Sequence, residues 1–178
     1  MGKSGEKWED FPNFFLLLPW IKQSYQVIRL IGEYEATLDA KGRFLLPSAL
    51  RKQLPEDQQN EFVVAKGFET CLTLFPKPEW DAVLDDLQNQ NQFLQDTRNL
   101  IRLFTYGATP ILLDGSGRVQ LPKRLMEHAG LEKDLILVTA INKVEIWDLN
   151  TYEQWMSQSR GDMAELAERV MGKSPSAK

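Results

Sequence analysis

The stretch DAKGRFLLPSAL at residues 39–50 returns as DGSGRVQLPKRL at residues 114–125. Asp39 and Asp114, Gly42 and Gly117, Arg43 and Arg118, Leu46 and Leu121, Pro47 and Pro122, and Leu50 and Leu125 are identical at matching steps. A repeat kept this well at this separation means two copies of one supersecondary unit rather than a solenoid array. Fold and function both turn on what that unit presents.

Working outward from the first copy, EYEATLD alternates, with Tyr34, Ala36 and Leu38 on one face and Glu35 and Thr37 on the other. That is strand periodicity. AKG supplies a turn in which Asp39 can accept from backbone N–H groups and Gly42 takes the positive-φ position. RFLL is a second strand with Phe44 and Leu46 on the same parity. Pro47 suits the first turn of a helix through SALRKQL, which PEDQQN ends. EFVVAKGFETCLTLF then reads as two strands broken around Lys66-Gly67. The unit is ββαββ, tight and local. The second copy repeats the order: strand TPILLD, turn GSG, strand RVQL, helix PKRLMEHAG closed by Gly130, and two strands in LILVTAINKVEIWD. Val119, Leu121, Val144 and Ile146 point inward; Gln120 and Glu145 point out.

Each copy is followed by helix. In residues 78–107, Trp80, Val83, Leu84 and Leu87 form one apolar stripe and Phe93, Thr97, Leu100, Ile101 and Phe104 a second. The QNQNQ between them predicts an αα-hairpin. After the second copy, TYEQWMSQSRGDMAELAERVMG is helical in pattern but interrupted at Gly161, and KSPSAK is a tail.

Apolar residues make up 43% of the 178-residue chain, enough for a core. The formal net charge of −4 argues weakly against a nucleic-acid partner, because phosphate binding wants a basic surface. Cys71 is the single cysteine, so no internal disulfide is possible, and its apolar setting reads as a small core residue. His128, the only histidine, lacks the oriented partner of a catalytic residue and the companion ligands of a metal site. No metal or other cofactor is expected and no enzyme activity. No segment has the length of a membrane span, and FFLLLPW, preceded by Glu6, Glu9 and Asp10, lacks the features of a signal peptide. The expected setting is the cytoplasm.

The repeated turn is Asp-x-x-Gly-Arg. Asp and Arg four apart can meet across its neck, a structural clamp that still leaves guanidinium donors free. Local charge adds a functional reading. Residues 39–52 hold Lys41, Arg43, Arg51 and Lys52 against Asp39, and residues 114–126 hold Arg118, Lys123 and Arg124 against Asp114. An acidic chain thus carries two basic spots at matching places. Arg suits a guanine edge and Lys a phosphate.

The ordered motifs GEYEATLDAKGRFLLPSALRKQL, CLTLFPKPEW, RLFTYGA, LDGSGRVQLP, HAGL and NKVEIWD resemble the MraZ family from about Ile31 to Trp155. The resemblance implies an α+β fold: two pseudo-symmetric ββαββ swapped-hairpin units of the AbrB/SpoVT type, forming a small double-psi-like β-barrel core, each followed by helices. It implies domains at 31–107 and 108–160, with an extension at 1–30 and a helical tail at 161–178. It further implies a bacterial transcriptional regulator of the division and cell-wall gene cluster. Such a protein binds short direct repeats in double-stranded DNA upstream of its own operon, as a ring-like homo-oligomer associated with the nucleoid. The family's repeated motif falls on Asp39 with Arg43 and on Asp114 with Arg118. Lys41 and Arg43 are expected to lead DNA binding, Arg118 to follow, and Arg51, Lys52, Lys123 and Arg124 to be secondary. Asp39, Gly42, Asp114 and Gly117 position the arginines. Ser116 stands where the first copy has Lys41, so the copies should contribute unequally. The family pattern begins near Val27, leaving some 26 residues in front. They are either an apolar arm for a neighbouring subunit or a stretch ahead of the true start at Val27, the second being preferred. An antitoxin-like interaction module is the competing function.

Overall fold

The computed structural model describes residues 28–159 and 163–172. The expectations for the N-terminal 26 residues and for the KSPSAK tail lie outside them.

The first copy contributes β1 (Glu33–Thr37), β2 (Arg43–Leu45), a one-turn helix α1 (Ser48–Arg51), a 3-10 turn (Glu56–Gln58), β3 (Glu61–Lys66) and β4 (Leu72–Pro76). Helices α2 (Lys77–Gln88) and α3 (Gln95–Thr105) follow. The second copy gives β5 (Thr109–Leu112), β6 (Arg118–Gln120), α4 (Lys123–His128), β7 (Asp134–Ala140) and β8 (Lys143–Asp148), then α5 (Leu149–Ser159) and α6 (Met163–Met171). Each short helix starts after a proline, Pro47 or Pro122, whose fixed φ suits that place. The first is shorter than SALRKQL predicts. Gln53 N donates to Leu50 O and Leu54 N to Arg51 O, so the chain tightens into turns before Pro55.

The pairing corrects the expectation of two local units. Six strands form an antiparallel sheet in the order β1-β7-β8-β4-β3-β5. Only β3–β4 and β7–β8 pair within a copy. The first strand of each copy joins the other: β1 lies on β7, with Tyr34 opposite Leu137, and β5 lies on β3, with Ile111 opposite Phe62. β4 and β8 join the copies at the centre, Leu72 opposite Ile146. Interleaved this way, the two copies share one sheet and one ribbon.

The barrel expectation is also corrected. The sheet is open, with β1 and β5 at its edges, and β2 and β6 form a separate two-stranded ribbon. The physical cause is the Asp-x-x-Gly-Arg turn, which follows β1 and β5 and carries the chain off the sheet. Pro110 sits on the edge strand β5, where a missing donor is tolerated.

Both faces of the sheet are covered, which explains the nearly continuous burial along β3 and β4. On one face Val64, Leu72, Leu74, Leu135, Leu137 and Ile146 pack with Phe44 and Val119 of the ribbon and Leu50 and Leu125 of the short helices. On the other, Val63, Ala65 and Phe75 meet Trp80 and Phe104 of the αα-hairpin. A third cluster sets Cys71, Ile136 and Trp147 against Tyr152 of α5. The second stripe is corrected at its start: Ile101 and Phe104 of α3 are partly buried, whereas Phe93 falls in the turn before α3 and is 97% exposed.

Candidate nucleic-acid interface

The two turns are built alike. Asp39 Oδ1 accepts from the amides of Lys41 at 2.8 Å and Arg43 at 2.9 Å, while Gly42 N donates to Asp39 O at 2.9 Å. Asp114 Oδ1 accepts from the amides of Ser116 at 2.8 Å and Arg118 at 2.9 Å, with Gly117 N on Asp114 O at 2.8 Å. Gly42 and Gly117 stand at φ +73° and +77°, a conformation side chains with a Cβ rarely adopt. The amide of Arg43 is the main reason the Asp39 carboxyl lies below its ordinary 3.8, and the amide of Arg118 does the same for Asp114. Both aspartates are therefore charged at neutral pH and hold their turns closed.

The turns feed a ribbon with a pseudo-twofold axis between Phe44 and Val119, which face each other in the ladder. Leu46 N donates to Gly117 O at 3.0 Å and Leu121 N to Gly42 O at 2.9 Å, so equivalent atoms exchange equivalent bonds. Beneath the turns the exchange continues. A Cβ on Gly117 would stand 3.4 Å from Arg51 Nη1, and one on Gly42 2.8 Å from Met126 Cε. The short helix of each copy thus buttresses the turn of the other.

Parity then sorts the ribbon into two faces. Phe44 and Val119 are 1% and 0% exposed and anchor it in the core. Complete burial of a phenylalanine side chain contributes about 1.5–3 kcal/mol. Arg43 opposite Gln120, and Leu45 opposite Arg118, occupy the outer face. Across such a ladder the diagonal pair Arg43 and Arg118 lies roughly 7–8 Å apart. The outer face was half legible: Phe44 and Leu46 inward imply Arg43 and Leu45 outward. That Gln120 and Leu45 would join the two arginines on one surface needed the cross-copy register, which no local pattern carries.

The expected residues do not occupy equal positions. Arg43 is clamped, with Nε and Nη2 both 2.9 Å from Asp39 Oδ2, and Nη1 is not part of the clamp. Arg118 is exposed and, among the described residues, has no ion pair. Lys41 stands exposed at the tip of the first turn, whose carbonyl accepts from Gln120 Nε2. Lys123, exposed and 3.7 Å from Glu127, borders a shallow cleft shared with Asp39 and Gly42. Lys52 is exposed. Arg124 lies over the Tyr106 ring at 4.5 Å, with Lys66 over the same ring at 4.7 Å. Arg51 is half-buried and donates from Nη2 to Asn60 Oδ1 at 3.0 Å.

Other chemistries find little to work with among the described residues. No group of three His, Cys, Asp or Glu side chains could hold a metal ion, and no helix is long and apolar enough to cross a membrane. Cys71 is buried, and burial pushes its thiol up to about 12. His128 is exposed at the end of α4, its pKa lowered by desolvation and then by Lys66.

Comparison with known proteins agrees with the duplication. The family described as "MraZ protein, putative antitoxin-like" matches residues 30–103 and again 104–173. A protein of Christiangramia forsetii named "Transcriptional regulator MraZ" is 45% identical over 147 residues, 82% of this chain and 95% of the relative. Proteins of the same name from Flavobacterium psychrophilum and Cytophaga hutchinsonii are 41% and 37% identical, over 80% and 79% of this chain and 92% and 93% of theirs. With both copies matched and relatives this similar along most of its length, the chain belongs to the MraZ family.

Proposed function

We propose that this chain is a transcriptional regulator that binds double-stranded DNA by laying the outer face of the β2–β6 ribbon in the major groove. The observation that carries the reading is that face itself: Arg43, Leu45, Arg118 and Gln120 outward on a ribbon whose other side, Phe44 and Val119, is fully buried. A major groove admits a two-stranded β-ribbon, and arginine is suited to its guanine edges. The relatives' name supports the regulatory role.

The geometry divides the labour. Arg43 is pre-organised by Asp39, so it binds with little further loss of side-chain freedom, whereas Arg118 must be ordered on binding. In this reading Lys41, Lys52, Lys123 and Arg124 would supply the contacts to phosphates. Arg51, tied to Asn60 beneath the second turn, supports that turn rather than touching DNA. Asp39, Gly42, Asp114 and Gly117 keep the turns in shape.

The finer parts of the reading follow the family resemblance: the AbrB/SpoVT swapped-hairpin arrangement, regulation of the division and cell-wall gene cluster, and direct repeats upstream of its own operon. A ring-like homo-oligomer would reconcile binding with a net charge of −4. Repeating a modest basic face raises avidity by roughly 10²–10⁴ where the spacing matches. The antitoxin-like wording of the family description favours a second reading, an interaction module, which co-purification of a small basic toxin would support.

The test is binding to its own upstream DNA across a salt series, with Arg43→Ala and Arg118→Ala alongside. The expected result is a steep salt slope for the wild type and loss of most specific binding in Arg43→Ala. Equal affinity for that DNA and for random duplex would overturn the proposal.

A further inference from the structure

One side chain on the outer face of the ribbon has no electrostatic task. Leu45 is 58% exposed, although its chain neighbours Phe44 and Leu46 are 1% and 3% exposed. It shares its face with Arg43 and sits directly opposite Arg118, so a leucine stands in water between two guanidinium groups. Single exposed leucines are ordinary on protein surfaces. This one shares its face with two arginines and a glutamine. Gln120 holds the equivalent place in the second copy, and its side-chain amide is bound to the Lys41 carbonyl. Of the two ribbon strands, only that of the first copy therefore offers an apolar side chain on the outer face.

Among the base edges displayed in a major groove, the C5-methyl of thymine is the apolar group. We infer that Leu45 is a specificity-determining residue that packs on a thymine methyl of the bound duplex, one such contact per protomer. Residues two apart on a strand are separated by about 6.6 Å, close to two base steps of 3.4 Å. The thymine is then placed within about two steps of a base contacted by Arg43 or Arg118. The inference rests on the proposed DNA binding.

The experiment replaces each thymine of the chain's own upstream duplex, one at a time, with deoxyuridine, which lacks only the methyl. Wild-type protein is expected to weaken about four-fold at the contacted position, the worth of one apolar carbon removed from water. Leu45→Ala should bind the unsubstituted duplex several-fold more weakly and no longer distinguish thymine from uracil there. Gln120→Ala should keep the distinction. Since Leu45 neutralises no phosphate, the salt slope of Leu45→Ala should match the wild type. Insensitivity of the wild type at every position, or equal sensitivity in Leu45→Ala, would overturn the inference while leaving DNA binding intact. Failure of the wild type to prefer the unsubstituted upstream duplex over random DNA would instead remove the DNA-binding reading itself.

Discussion

Alanine at Gly115 and alanine at Gly117 should move stability in opposite directions, although both lie in the second turn. Gly117 has φ +77°, where a Cβ crowds the following carbonyl at a cost of about 1–2 kcal/mol. The nearest atoms to that Cβ would be Arg51 Nη1 at 3.4 Å and Leu45 Cδ1 at 3.9 Å, so packing adds little to the backbone strain. Gly115 is not among the glycines at positive φ, and a Cβ there meets nothing within 4 Å. Where the backbone already suits alanine, the substitution stabilises by about 0.4–1 kcal/mol, because the unfolded chain has less freedom to lose. The first copy carries that very change, Ala40 standing where the second has Gly115. Gly42→Ala should cost at least as much as Gly117→Ala, since its Cβ would also displace Met126 Cε from 2.8 Å. At this chain length about 1 kcal/mol moves Tm by roughly 2–4 °C. Thermal melts at one fixed protein concentration, backed by urea midpoints, should show Tm falling by about 2–8 °C for Gly117→Ala and rising by about 1–4 °C for Gly115→Ala. If Gly117→Ala were tolerated as well as Gly115→Ala, the account of the Asp-x-x-Gly-Arg turn would be refuted.

Asp39 and Asp114 titrate below their ordinary 3.8 in the folded chain, so their contribution is present above that value and lost as pH falls through the lowered one. Urea midpoints measured downward from about pH 5 should drop below about pH 4, and less so in the Asp39→Asn, Asp114→Asn double variant. Cys71, buried with its thiol pushed up to about 12, should resist an aromatic disulfide reagent at pH 8 until urea unfolds the chain. Rapid stoichiometric labelling of the native protein would contradict its placement. Trp80 stacks on Phe104 at 5.2 Å and meets Phe75 edge-on at 5.5 Å, joining the αα-hairpin to the sheet. Trp80→Ala should cost about 3–5 kcal/mol by urea denaturation; a loss under about 1 kcal/mol would mean the hairpin is not held there.

Much of this was readable from the residues because local chemistry decided it. Period-two alternation puts Phe44, Val119, Val144 and Ile146 inward, and the Asp, Gly and Arg of the repeated turn specify its closure. Pairing was not readable in that way. EYEATLD and RFLL look like a hairpin, yet β1 and β2 each ladder with the other copy. A strand's sequence records which face is apolar but carries almost no information about which edge it meets. Charge counting is blind to placement for a similar reason. Arg51 raises the local positive sum as much as Lys52 does, but its register in α1 turns it under Gly117, where it bonds Asn60. Phe93 shows the converse, an apolar residue expected on a helix stripe that lies in the turn before α3, exposed.

The departures from symmetry also bear on how the ribbon would lie on DNA. A ribbon with true twofold symmetry would look the same along either direction of a duplex, and its best site would be a palindrome. Here the axis between Phe44 and Val119 relates unlike partners: Lys41 to Ser116, Leu45 to Gln120, and an Arg43 clamped by Asp39 to an Arg118 with no such clamp. Each difference falls on the outer face or a turn tip, whereas the inner positions keep their apolar character. Duplication within one chain makes such divergence possible, because the halves of a homodimer must change together. In the proposed complex a protomer therefore has a direction on the duplex, set by which end carries Lys41 and the pre-organised Arg43. Protomers arranged by rotation, each with the same direction, meet sites repeated head to tail. That is why the loss of direction matters as much as the loss of charge: a Leu45→Gln, Ser116→Lys double variant makes the halves more alike. It should bind direct and inverted copies of the same half-site with more nearly equal affinity than the wild type does, and an unchanged preference would show that these residues do not set the direction.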